Sequence, residues 1–143
     1  MWRDTISGLF SDATFAAPST VADIESAEEE LKVAFPDELR ALLLETNGVA
    51  AHYGSALVWS VPLIVANNQL FRDDPDFALL YMSFTSLLFF GDAGNGDQFG
   101  YRVLGGQVRD TSWIFKWDHE SDNREWYAFN LADFFRRTAP TEP

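Results

Sequence analysis

Cysteine is absent from this 143-residue chain, lysine occurs only at Lys32 and Lys116, and histidine only at His52 and His119. Without cysteine there is no disulfide, no thiolate nucleophile and no sulfur-ligated metal, and a chain that needs no disulfide scaffold suits the cytosol. The shortage of cations excludes as much. Lys and Arg number 10 against 22 Asp and Glu, a formal charge of −12. Binding to nucleic acid requires clustered cations to neutralise phosphates, and anionic membranes ask for the same, so direct contact with either is disfavoured. No apolar run approaches the ~20 residues of a membrane span. Met1-Trp2-Arg3-Asp4 lacks the basic stretch and apolar core of a signal peptide. The expectation is a cytoplasmic protein.

What is abundant is apolar and aromatic. Hydrophobic residues make up 47% of the chain, with 13 Phe and 5 Trp, enough buried surface to offset the entropy of ordering. The length suits a single domain over residues 1–143 with one aromatic-rich core. The acidity fits a basic protein partner, through complementary fields, but on charge alone it fits somewhat better an acidic protein whose charge simply aids solubility.

The pattern along the chain is helices, then strands, then a helix. Trp2, Ile6, Leu9 and Phe10 fall at helical spacing before a break at Pro18. Thr20 with Asp23 resembles a capping box, opening a helix whose stripe is Ile24, Ala27, Leu31 and Ala34 or Phe35, with Glu28, Glu29 and Glu30 facing solvent. Pro36 suits the start of a second helix, with Asp37 and Glu38 at the positive end of its dipole, Leu39, Leu42 and Leu43 inward, and Asn47-Gly48 as a left-handed stop. A short strand over 56–61 and a helix from Pro62 to about residue 71 follow. Phe71, Phe77 and Tyr81, which flank Asp73, Asp74 and Asp76, could form an aromatic-acidic interaction patch or pack an irregular connection onto the sheet, and packing is the expectation. Strands are expected near 86–90, 98–104, 113–117 and 125–129, with Trp113, Phe115 and Trp117 on one face of the third. Asn130 caps a last helix with Leu131, Phe134 and Phe135 inward and Arg136-Arg137 at its negative end. No βαβ alternation occurs, so the fold class is α+β: a central antiparallel β-sheet packed with N-terminal helices and a C-terminal helix.

Two loops concentrate the chemistry. The first, Gly91-Asp92-Ala93-Gly94-Asn95-Gly96-Asp97, separates a buried strand from a half-buried one. Asp92, Asn95 and Asp97 offer hard oxygen ligands, but the spacing is not that of an EF-hand and no bidentate Glu follows, so no metal is assigned. A phosphate cradle would carry a Lys and open a helix. Glycines at positive φ and Asx side chains bonded to their own backbone explain the loop as a turn, which leaves the carboxylates divided between capping and partner binding. The second loop holds Asp118, His119, Glu120 and Asp122. A carboxylate orients an imidazole in acid–base catalysis, yet neighbours on a strand face opposite sides, so adjacency builds no dyad. No nucleophile elbow and no His-x-x-x-His pair is present. The expectation is no enzyme, no catalytic residue and no cofactor. The alternative is a small-ligand or catalytic domain centred on Asp92, Asp97 and His119.

The order of these motifs resembles the SUKH superfamily, which includes the Smi/Knr-like proteins. The resemblance runs from Ile24 through Glu30 and Phe35-Pro36-Asp37-Glu38-Leu39 to Asn47-Gly48, then from Leu88 through Phe99, then Trp117-Asp118-His119-Glu120, and ends at Phe129–Phe135. It covers about residues 20–137 and leaves 1–19 as an extension and 49–85 unaligned. It implies an α+β domain with a central antiparallel sheet. It also implies a bacterial immunity protein that neutralises a toxin domain, often a nuclease, by direct binding. Partner-binding residues are then expected at Asp92, Asn95, Asp97, Asp118, His119, Glu120 and Asp122, both loops lying at the rim of the sheet.

Overall fold

The computed structural model describes residues 1–108 and 113–140. Among them the helices are α1 (Trp2–Leu9), α2 (Val21–Leu31), α3 (Asp37–Glu45), α4 (Val61–Asp73), α5 (Pro75–Leu80) and α6 (Leu131–Thr138). The strands are β1 (Thr14–Phe15), β2 (Val49–Ala51), β3 (Ser55–Val58), β4 (Leu87–Asp92), β5 (Gln98–Leu104), β6 (Gln107–Val108), β7 (Ile114–Trp117) and β8 (Arg124–Ala128). The class is α+β. The central sheet runs β4-β5-β7-β8, all antiparallel, with β6 folded back on β5, and a smaller antiparallel sheet runs β1-β2-β3. The larger sheet matches the four strands expected from sequence. Of the smaller sheet only β3 was anticipated, as the strand expected over 56–61; β1 and β2, of two and three residues, are too short to display a period, and α5 was not anticipated either.

One face of the central sheet packs on α6. Phe90 and Phe99 lie 5.3 and 4.8 Å from Phe134, ring centre to ring centre, and Phe135 reaches Trp2 and Phe10 around α1. The other face packs on the end of α4 and on α5, where Phe71, Phe77, Tyr81 and Phe84 enclose Phe89 and Trp117. Phe71, Phe77 and Tyr81 are therefore packing residues, as expected. Each such aromatic pair is worth about 0.5–1.5 kcal/mol beyond its buried area. In β7 the aromatic face is covered only at Trp117. Trp113 is exposed and Phe115 half-buried, while Ile114 on the opposite face is fully buried.

The two sheets meet along β3 and β4. A register shift between Phe89 and Gly91 leaves Phe90 without a partner in the β4–β5 ladder, and backbone groups on this edge of β4 find partners outside the sheet. The buried Asn68 amide donates to the Phe89 carbonyl at 2.8 Å and accepts the Phe89 N–H at 2.9 Å, while Phe90 O accepts from Trp59 N at 2.7 Å. Gly91 faces the Leu57 carbonyl so closely that a Cβ there would run into it.

Helix ends depart from expectation in instructive ways. Thr20 accepts from Asp23 N and Asn130 from Asp133 N, both as expected. Helix α2 stops at Leu31, with Lys32 in the left-handed conformation, so Ala34 and Phe35 lie beyond it. Glu28, expected on the solvent side, instead accepts the Phe35 N–H at 2.6 Å. Pro36 is the cap of α3 rather than its first residue, and α3 ends at an extended Thr46. Gly48, at φ +108, turns the chain past Val58 and Ser60, and Asn47 caps α4 by accepting from Val61 N at 2.8 Å. The strand expected over 56–61 ends at Val58 because α4 begins at Val61. Arg136 and Arg137 reach back to Asp133 at 2.8 and 2.7 Å. The Phe129 N–H, against some burial, and then these two guanidiniums hold the Asp133 carboxyl at about 2.

Candidate functional site

The β4–β5 and β7–β8 turns lie side by side. Pairing of Asp92 with Gln98, Gln98 with Trp117 and Trp117 with Arg124 lines up four strand ends in one row, which brings the two acidic loops together. The contact between them is Asp97 with His119. Asp97 Oδ1 accepts from the His119 backbone N–H at 3.1 Å and lies 2.7 Å from Nδ1, and its Oδ2 is 3.7 Å from Lys116 Nζ. Gly96, at φ +101, makes room for the ring: a Cβ there would sit 2.9 Å from His119 Nδ1. Burial pushes the Asp97 carboxyl up, but the His119 hydrogen bonds and Lys116 outweigh it and hold it below the usual carboxylate range. The hydrogen bond to Asp97 raises His119 in turn.

The remaining acidic groups divide by what they hold. Asp92 accepts the Trp59 indole N–H at 2.8 Å and the Gly94 N–H at 2.8 Å. Asn95 accepts from Asp97 N. Asp118 Oδ1 accepts from Glu120 N and Ser121 N, closing the second turn. Asp122, in the left-handed conformation at φ +60, accepts from the Trp117 indole at 2.7 Å, Arg124 at 3.1 Å and Met82 N at 2.9 Å. Despite its partial burial, these three donors hold it below the usual range. Glu120 stands apart, its side chain 81% exposed and 3.8 Å from His119 Nε2.

Asp97, Asp118 and His119 converge, with possible ligand atoms within 4.8 Å of one another. Asp92 does not join them, since its carboxylate faces Trp59. The imidazole–carboxylate pair is built across the two loops and not from the adjacent Asp118 or Glu120. A cavity of about 590 Å³ opens at the opposite end of the sheet, lined by Phe35, Glu38, Gln107 and Asn130 among others.

Several residues of this region were missed. Trp59 and Trp117 anchor Asp92 and Asp122, and Tyr81 donates to the His119 carbonyl at 3.0 Å. The signal was present: a buried indole N–H needs an acceptor, and the acidic loops are where acceptors are dense. Glu38, read as a dipole complement, turns inward, accepting from the Tyr101 hydroxyl at 2.7 Å and from Leu131 N at 3.2 Å. Burial pushes its carboxyl up against those two hydrogen bonds.

A family model described as SMI1-KNR4 cell-wall, within SUKH, matches residues 22–135. Comparison with curated proteins finds no match.

Proposed function

The chain belongs to the SUKH superfamily through its SMI1-KNR4 family, and on that premise we propose that it is a non-enzymatic, protein-binding module of the immunity type, acting in the cytoplasm. Its partner is a basic toxin domain, of which a nuclease is the leading kind, held non-covalently with its cleft occluded. The seven residues Asp92, Asn95, Asp97, Asp118, His119, Glu120 and Asp122 form the face that meets it. The observation that supports this reading is the junction of two acidic loops through Asp97 and His119 on a chain of charge −12. Complementary fields accelerate encounter with a basic protein and reject wrong partners. Within the face, Asp92, Asp97 and Asp122 fix the loops from beneath, and Glu120 presents its charge to solvent.

The test begins from a toxin-like reading frame beside the gene. Co-expression of this chain should restore growth to cells producing that toxin. Association of the purified pair should slow as salt rises, because screening shortens to ~8 Å at physiological ionic strength and ~3 Å at 1 M, while dissociation changes less. A toxin that is not bound, or that remains active when bound, overturns the reading.

A further inference from the structure

We propose that residues 73–82, α5 with its flanks, form the apolar half of the partner surface, taking a basic protein that seats an apolar side chain beside its cations; the proposal rests on the protein-binding reading above. Helix α5 has apolar residues on both sides. Phe77 and Tyr81 face inward, 5.0 Å from Phe71 and 5.1 Å from Trp117 between ring centres. Leu79, Leu80 and Met82 face out, 86%, 69% and 63% exposed. A short helix needs only its inner face to stay docked, and contiguous exposed apolar side chains with a polar rim mark a contact surface.

The exposure is not that of a loose end, because the segment is tied down at its start and at its end. Asp74 caps the helix by accepting from Asp76 N at 2.8 Å. Tyr81 donates to His119 O, Met82 N donates to Asp122 Oδ2 at 2.9 Å, and Arg124 donates to the Met82 and Ser83 carbonyls at 2.8 Å each. These bonds also fasten the patch directly to the 118–122 loop, so apolar and acidic halves are held as one surface. A surface ordered in advance loses little entropy on binding.

Charge identifies the occupant. From Asp73 through Tyr101 there are five Asp and no Lys, Arg or His. The neighbouring Arg72 is turned inward, donating to the Leu31 and Leu87 carbonyls at 3.0 and 3.1 Å. A second copy of this chain would bring a further charge of −12 against the same patch, and an anionic membrane would be repelled likewise. A basic protein is attracted.

The probe is the purified toxin domain encoded beside the gene, measured by surface plasmon resonance against the wild-type chain, the double variant Leu79→Ser with Leu80→Ser, and Glu120→Lys. Apolar contact acts at short range and sets dissociation, whereas rim charge sets association. The leucine variant should dissociate at least tenfold faster, associate within twofold of wild type and melt at the wild-type temperature. Glu120→Lys should slow association alone. If Glu120→Lys has its effect while the leucine variant dissociates as wild type does, the patch is not used and the inference fails while the binding reading stands. If the wild-type chain does not bind the toxin domain, the reading fails and the inference with it. A wild-type chain that sediments as a dimer, and as a monomer once the leucines are replaced, shows a second copy on the patch and overturns the proposal.

Discussion

The two acidic loops and the acidic start of α5 both carry negative charge and hold most of it differently. In the loops, Asp92 and Asp122 each accept an indole N–H, Asp97 binds an imidazole, and Asp118 closes a turn. Around α5, Asp73 and Asp76 are exposed and make no ion pair among the described residues. Asp92, Asp97, Asp118 and Asp122 therefore act first on this chain's own donors, whereas Asp73 and Asp76, like Glu120, act first on solvent. Net charge counts the two sets alike. Stability and binding do not, because a carboxylate accepting several protein donors cannot be lost without stranding them.

The largest effect should come from Asp122→Ala. It strips acceptors from the Trp117 indole, the Met82 N–H and Arg124 together, and it puts alanine at φ +60. Removing one partner from a poorly solvated network of this kind costs roughly 3 kcal/mol, about 10 °C in melting temperature for a chain of this size. Scanning calorimetry or a circular-dichroism melt reads this directly. A shift within a degree would mean the loops are not anchored and would erase the contrast with α5.

Legibility followed the length of each pattern. Strand β5 was readable at both ends because Gly96-Asp97 and Gly105-Gly106 bracket an alternating run, and α6 because Asn130, Leu131, Phe134 and Phe135 repeat at helical spacing. The acidic loops were readable as turns, and their place at one end of the sheet follows from hairpin connectivity. What was not readable is long-range pairing. Asp97 meets His119 across 22 residues, Glu38 meets Leu131 across 93, and Asp92 meets Trp59 across 33. Each is settled by register and packing, not by local spacing. The same holds for the smaller sheet, where β1 joins β2 from far along the chain with two residues of pairing.

A smaller effect, dependent on pH, belongs to the Asp97–His119 pair. The His119 value is raised in the folded chain, so its contribution is complete below the ordinary imidazole value of about 6.5 and is lost as pH rises through the raised value. The Asp97 value is lowered, so its contribution is complete above about 3.9 and is lost as pH falls through the lowered value. Wild type should therefore have a lower urea midpoint at pH 8 than at pH 6. His119→Gln should flatten that alkaline decline and also shrink the acid limb, leaving the part of it that Asp97 owes to the residue-119 backbone N–H and to Lys116. An unchanged alkaline slope in the variant would mean that His119 is a bystander in the loop junction.

The smallest effects should come from the other side of the comparison, and their signs should differ. Asp73 is the last residue of α4, where a negative charge opposes the helix dipole and lies within three residues of Asp74 and Asp76, so Asp73→Asn should stabilise by a few tenths of a kcal/mol, less what its attraction to the neighbouring Arg72 contributes. Asp76 sits in the first turn of α5, where a negative charge is favourable, so Asp76→Asn should destabilise by a similar amount. Both lie inside the roughly ±0.5 kcal/mol of ordinary surface changes, a shift of no more than about 2 °C. Urea midpoints compared at low and high salt would separate the dipole and repulsion contributions from packing, since only the former are screened. A loss in either variant that approaches that of Asp122→Ala would show these carboxylates to be structural too, and the division between anchored loops and open α5 would have to be abandoned.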